Sequence, residues 1–223
     1  MSSRKPCIVL LAKRFARAKS RLSEVLADDD RQRLARTMFE CSFAAVRLAA
    51  DVSSSIVVAT DCDEIAALAT HGGASVFRDR DVESLGRVVD RALGEMARQG
   101  ESSALVLVSD LPRLTGASVI DCANALRESD CVIAPDRHRL GTNAFGLLLP
   151  AEPTCFGRPD SFDAHVRQAQ SAGLRVAIFD RPEFALDIDS PDDLAIYEKI
   201  SSKVRPLGLG LRRGAADFRR GLC

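Results

Sequence analysis

Tryptophan is absent from these 223 residues, tyrosine occurs once, and acidic and basic side chains cancel at 31 each. With no net charge, few large aromatics and no nucleic-acid motif, the chain has no global field to draw it to nucleic acid or membrane. Any basic site must be local. No apolar run approaches the roughly 18 residues of a membrane span, and the first residues lack the apolar stretch of a secretory leader. A cytoplasmic protein without membrane contact is expected. The seven cysteines are odd in number and form no Cys-x-x-Cys pair, which indicates neither a disulfide framework nor a zinc site. Most fit the role of small buried hydrophobes. His71, His138 and His165 lack metal-ligand spacing and are expected at the surface or in hydrogen bonds. There is no Gly-x-x-x-x-Gly-Lys-Ser/Thr loop and no Gly-x-Ser-x-Gly elbow, which excludes a Walker-type nucleotide site and an acyl-hydrolase nucleophile. The glycines from Gly208 to Gly214 have the wrong spacing for a dinucleotide fingerprint and follow no strand.

What the chain does have is a regular alternation of short apolar runs and amphipathic stretches. Residues 7–11, 55–59, 74–77, 105–108, 131–134, 144–149 and 174–179 read as strands. Helices are expected from Asp28, Asp29 and Asp30, which supply a capping and dipole-friendly start, and over 61–70, 82–99, 115–127, 162–172 and from Pro191. Gly72-Gly73 and Gly100 are suited to end two of them. The rhythm predicts an α/β fold: a mainly parallel sheet with helices on both faces, in one domain over residues 1–200. The segment 201–223 is rich in Gly and Arg without a steady period, and reads as a strap or disordered end.

Three features carry chemistry. Leu105-Val106-Leu107-Val108 runs into Ser109-Asp110-Leu111-Pro112, so Asp110 stands at the carboxyl end of a central strand, where open α/β sheets bind ligands. A carboxylate there suits a hard cation such as Mg²⁺ on a substrate phosphate, although Asp110 also fits a turn or a cap for the helix after Thr115. After the first strand, Lys13, Arg14, Arg17, Lys19 and Arg21 place five cations within nine residues. They could cradle a polyphosphate or simply form a solvated face. Finally, Asp187-Ile188-Asp189 puts two alternate carboxylates on one side before Ser190-Pro191. A nucleoside triphosphate carries about four negative charges and needs both cations and carboxylate-held Mg²⁺, so together these features describe a nucleotidyltransferase.

The order of five motifs sharpens that description. Ala18-Lys19-Ser20-Arg21-Leu22 comes first, then Asp110-Leu111-Pro112, then Ala134-Pro135-Asp136-Arg137 with Gly141-Thr142-Asn143. Phe156-Gly157 with Ser161-Phe162 and His165 follows, and then Asp187-Ile188-Asp189-Ser190-Pro191-Asp192-Asp193-Leu194. Over residues 6–199 the chain resembles the phospholactate guanylyltransferase family of coenzyme F420 biosynthesis. The resemblance implies a small GT-A-like nucleotidyltransferase fold and a reaction of GTP with a small phosphorylated hydroxy acid, releasing pyrophosphate. It implies Lys19 and Arg21 on the GTP phosphates with Lys13 beside them, Asp110, Asp187 and Asp189 on Mg²⁺, and Thr142, Gly157 and Ser161 on the acceptor. Lys19, Arg21 and Asp110 would be catalytic. The attacking phosphate oxygen is already ionised, so positioning and charge neutralisation suffice.

Two departures from the family pattern bear on the acceptor. Ser84-Leu85-Gly86 replaces Gly-Leu-Asn, and the turn 157–161 is one residue longer than Gly-x-Gly-Ser. Among 2-phospho-L-lactate, phosphoenolpyruvate and 3-phospho-D-glycerate, this altered pocket tilts the expectation toward 3-phospho-D-glycerate. A cytidylyl- or uridylyltransferase of the same fold is the first alternative. A nucleic-acid-binding protein using Arg205, Arg212, Arg213, Arg219 and Arg220 is a second, disfavoured by the zero net charge. A homodimer is left open.

Overall fold

A computed structural model describes residues 5–78 and 84–204, with side chains described up to residue 200. The strands are β1 (Cys7–Leu11), β2 (Ile56–Thr60), β3 (Ser75–Arg78), β4 (Ser103–Val108), β5 (Cys131–Pro135), β6 (Thr142–Leu148) and β7 (Val176–Ile178). They form one seven-stranded sheet in the order β3-β2-β1-β4-β6-β5-β7. Every pairing is parallel except those of β6, which runs antiparallel to both β4 and β5.

The helices are α1 (Asp28–Leu48), α2 (Asp63–His71), α3 (Leu85–Arg98), α4 (Gly116–Glu128), α5 (Ser161–Ser171), α6 (Pro182–Ala185) and α7 (Pro191–Val204). Successive strand residues point to opposite faces, so each strand feeds two cores. Ile8, Leu10, Leu105 and Leu107 pack with α1, α2 and α4 on one side. Cys7, Val9, Ala104 and Val106 pack with α3 and α5 on the other. Fully buried central strands explain why their sequences are unbroken apolar runs rather than alternating ones. A third, smaller cluster ties Leu22 of the basic loop to Leu34 and Met38 of α1 and to Leu186, Ile188, Leu194 and Tyr197. It is the mechanical link between the two charged segments.

Several expectations meet a correction here. Asp28, Asp29 and Asp30 do not cap α1: Ala27 is the residue before it, and the aspartates occupy the first turn, where Asp28 and Asp30 pair with Arg31 and Arg33. Asp110 does not cap the following helix either. Thr115 does, its hydroxyl accepting from the Ser118 backbone N–H at 3.1 Å, with the Ser118 hydroxyl accepting from the Thr115 N–H in return. That frees Asp110 for another role. The helix expected from Val82 begins at Leu85; Val82, like the 205–223 part of the tail, lies outside the described residues. Gly73 and Gly100 take φ of +85° and +91° as helix-ending glycines.

Candidate active site

β1 leads by way of α1 to β2 on one side, while the chain reaches β4 on β1's other side. The sheet therefore reverses its winding between β1 and β4, and a crevice opens at their carboxyl ends. Leu11 and Val108 are register partners at that edge. Residues 109–111 follow β4, held by the buried Ser42 hydroxyl of α1, which lies 3.2 Å from the Ser109 carbonyl and 3.5 Å from that of Leu111. Asp110 is thereby fixed at the crevice.

The loop after β1 returns to the same point. Lys19 adopts φ +58°, ψ +32°, a left-handed conformation that costs a non-glycine residue roughly 1–2 kcal/mol. The turn aims its side chain inward. Lys19 Nζ donates to Asp110 Oδ2 at 2.6 Å and to Asp189 Oδ1 at 3.0 Å, with the lysine side chain only 4% exposed. Burial pulls the ammonium's pKa down, but the charges of Asp110 and Asp189 outweigh it and the net shift is upward, so Lys19 stays charged.

Asp187 completes the cluster. Oxygens of Asp110, Asp187 and Asp189 all lie within 4.8 Å of one another. Burial pushes the Asp187 carboxyl up to about 6, the Asp110 charge adds to that, and the Asn143 amide, donating at 3.1 Å, opposes it. The same amide donates to the Phe184 carbonyl at 2.8 Å, which ties the acid's position to β6 and α6. Asp187 and Asp189 sit in an irregular segment rather than in a strand, and α7 starts at Pro191 as expected. This segment is pinned by Asp193, whose Oδ2 accepts from the backbone N–H of Asp189 and Ser190 and from the Ser190 hydroxyl at 2.6–3.2 Å. Arg137 holds the other oxygen through Nε and Nη2, each at 2.8 Å.

Three carboxylates against one buried ammonium leave an excess of negative charge, and all the donors are hard oxygens. That donor set fits Mg²⁺. Exposed Lys13 and Arg21 form no ion pair among the described residues, whereas Arg14 is bound to Asp61 at 3.2 Å. Exposed Arg17 likewise forms no ion pair among the described residues, and the three cations flank Lys19 in the loop.

A second group lies on the α5 side of the crevice. Thr142 Oγ1 is 3.0 Å from His165 Nδ1 and 3.3 Å from Ser161 Oγ, and all three residues are buried. Gly157, with φ +84°, shapes the turn that leads into α5. A Cβ at Gly86 would lie 2.7 Å from the Phe156 carbonyl oxygen, and one at Gly157 would lie 3.5 Å from Leu85 Cβ. The two departures from the family pattern are thus one wall: the start of α3 packed against the turn.

The structure gathers Lys19, Asp110, Asp187 and Asp189 at one point, and Thr142 with Ser161 at another. Asn143, Arg137 and Asp193, which stand in the motifs without a role assigned from sequence, and Ser42, which no motif holds, are the supporting residues. Only the Ser-Pro-Asp-Asp start of α7 carried a readable capping signal for one of them.

A mixed sheet with a carboxylate cluster and a lysine at the winding reversal defines a nucleotidyltransferase-type α/β fold. Solved structures agree on the fold. A protein from Desulfovibrio desulfuricans assigned as a nucleotide-diphospho-sugar transferase superposes with a TM-score of 0.72 at 18% identity, covering 96% of this chain and 92% of that one. A nucleotidyl transferase from Methanothermobacter gives 0.63 at 16% identity, covering 90% and 99%. In sequence, the family described as guanylyl transferase CofC like matches residues 6–198. A phosphoenolpyruvate guanylyltransferase of Chloroflexus aggregans is 36% identical over 194 residues, 85% of this chain and 95% of the relative. A 2-phospho-L-lactate guanylyltransferase of Methanoregula boonei is 34% identical over 176 residues, 79% and 74% respectively. The chain belongs to the CofC-like guanylyl transferase family.

Proposed function

We propose that this enzyme joins GMP from GTP to phosphoenolpyruvate, releasing pyrophosphate, as a step toward coenzyme F420. A phosphate oxygen of the acceptor forms the new bond to the α-phosphorus of GTP, and the bond from that phosphorus to the bridging oxygen of pyrophosphate breaks. No proton need be removed from the nucleophile, so no general base is assigned. Lys13 and Arg21 are free to meet the triphosphate, with Lys19 between them. Asp110, Asp187 and Asp189 would hold Mg²⁺, which supplies positive charge to the phosphates when bound. The Thr142–Ser161 hydroxyl pair would donate a hydrogen bond to the acceptor, and the Gly157 turn would give its backbone close access.

The observation that carries the acceptor choice is how closely the Phe156 carbonyl approaches the Cβ position of Gly86. Loss of the family's asparagine leaves no room in the direction its side chain would take, because the Phe156 carbonyl oxygen lies 2.7 Å from where a Cβ at Gly86 would stand. A hydroxyl-bearing acid would need space and a partner there. This wall replaces the tilt toward 3-phospho-D-glycerate with a small planar acid, in keeping with the names of the Chloroflexus relatives. The test is pyrophosphate release with Mg²⁺ and GTP, CTP or UTP against each of the three acids. GTP with phosphoenolpyruvate is expected to give the highest kcat/KM. A higher value with 3-phospho-D-glycerate would reject the acceptor assignment, and a higher value with CTP or UTP would reject the nucleotide.

A further inference from the structure

We propose that His165 is a positioning residue that holds the Thr142 and Ser161 hydroxyls as a hydrogen-bond donor toward the anionic end of the acceptor acid. This rests on the reading of Thr142 and Ser161 as acceptor contacts. His165 is 1% exposed, its ring stacked on Phe145 with centroids 4.2 Å apart and set edge-on to Phe156 at 5.0 Å. Such packing leaves the imidazole one orientation. The backbone N–H of Cys155 points at Nε2 from 2.8 Å. A backbone amide can only donate, so Nε2 must be the bare nitrogen and the ring's single proton sits on Nδ1. Nδ1 then gives a hydrogen bond to Thr142 Oγ1 at 3.0 Å and cannot take one.

The consequence is a matter of counting protons. Thr142 and Ser161 own two hydroxyl hydrogens and share one bond, at 3.3 Å. Since His165 accepts neither hydrogen, one is left over whichever way the shared bond runs. It is available to an oxygen of a bound carboxylate or phosphate, and a bond to a charged acceptor is the stronger kind. Were the ring turned to its other tautomer, Nδ1 would take the Thr142 hydrogen and the pair would lose its outward donor. The backbone of the 154–157 turn therefore sets, through one imidazole, the polarity of a hydroxyl pair on β6 and α5.

The two ring nitrogens can be tested separately. An asparagine amide nitrogen falls near Nδ1, and a glutamine side-chain oxygen near Nε2. His165→Gln should keep the acceptor for Cys155 but lose the donor to Thr142, raising the KM for phosphoenolpyruvate by about tenfold with the KM for GTP unchanged. His165→Asn should restore most of that difference. In a Thr142→Val background His165→Gln should add nothing further. Equal effects of Gln and Asn, or an undiminished effect of Gln beside Thr142→Val, would show that His165 acts through packing and overturn the proposal. An unchanged acceptor KM in Thr142→Val alone would instead overturn the assignment of Thr142. Nitrogen NMR of the native imidazole needs no variant: a protonated Nδ1 and bare Nε2 are expected, and the opposite tautomer overturns the inference.

Discussion

Lys19 reaches two acids that stand 91 and 170 positions away in the chain, and no pattern in the sequence could announce that meeting. Each carboxylate was readable on its own terms: Asp110 from the strand that ends before it, Asp187 and Asp189 from their alternation. The lysine's place among them depends on a left-handed turn at Lys19 itself, in a residue type that gives no hint of it. The charge balance at this point leads to a sharp expectation. Asp110→Asn and Asp189→Asn each keep a hydrogen-bonding partner for Lys19 but take away one of three negative charges. The fold should persist while kcat/KM for GTP falls by about a hundredfold or more, the scale of losing several kcal/mol of charge stabilisation. Steady-state kinetics across a Mg²⁺ series would settle it, and near-native rates in both variants would mean that these acids do not serve the reaction.

At the level of elements, the strands were legible as short unbroken apolar runs and the long helices by their period, whereas direction was not. The run 144–149 looks the same whether it pairs parallel or antiparallel, so the inversion of β6 became visible only in the sheet. The four-residue α6 is too short to show a helical period. The segment from Asp187 to Ser190 is the element whose stiffness matters most for chemistry. The backbone N–H groups of Asp189 and Ser190 donate to Asp193, and Asp193 in turn accepts from Arg137. The Asp193 carboxyl feels burial pushing its pKa up, yet the Ser190 hydroxyl and backbone and the Arg137 guanidinium together hold it below the usual range. Asp193→Ala should cost about 1–2 kcal/mol of stability, as loss of a helix cap does, and should lower turnover beyond that. Thermal melts beside kinetics at a temperature where the variant is fully folded would separate the two effects; a folded variant with native turnover would show that the segment needs no such brace.

For the molecule as a whole, buried His165 and half-buried Asp187 bend the pH dependence of stability in opposite senses. Burial drives His165 down from 6.5 to about 4, the Ser161 carbonyl opposing and the Arg158 charge assisting. As pH falls through that window the unfolded chain takes up a proton that the folded one refuses, so on the order of 3 kcal/mol of stability is lost. Asp187 runs the other way. Raised from 3.8 to about 6, it binds its proton first in the folded state, and stability is gained as pH falls between those values. In chelator and without nucleotide, Asp187→Asn removes that gain. The variant should therefore lose more in Tm than the native protein between pH 7 and pH 4, and equal losses would show that Asp187 titrates as an ordinary carboxyl.

The order in which the ribosome delivers the strands adds one more consequence. β5 leaves the tunnel before β6 and β7, yet those two are its only partners in the sheet, and β6 must come between β4 and β5. The first four strands pair parallel with one another, while β5 has to wait unpaired until the chain has doubled back. The half of the enzyme that carries Thr142, Asn143 and the Asp187–Asp189 segment is accordingly expected to fold last, around the insertion of a single inverted strand.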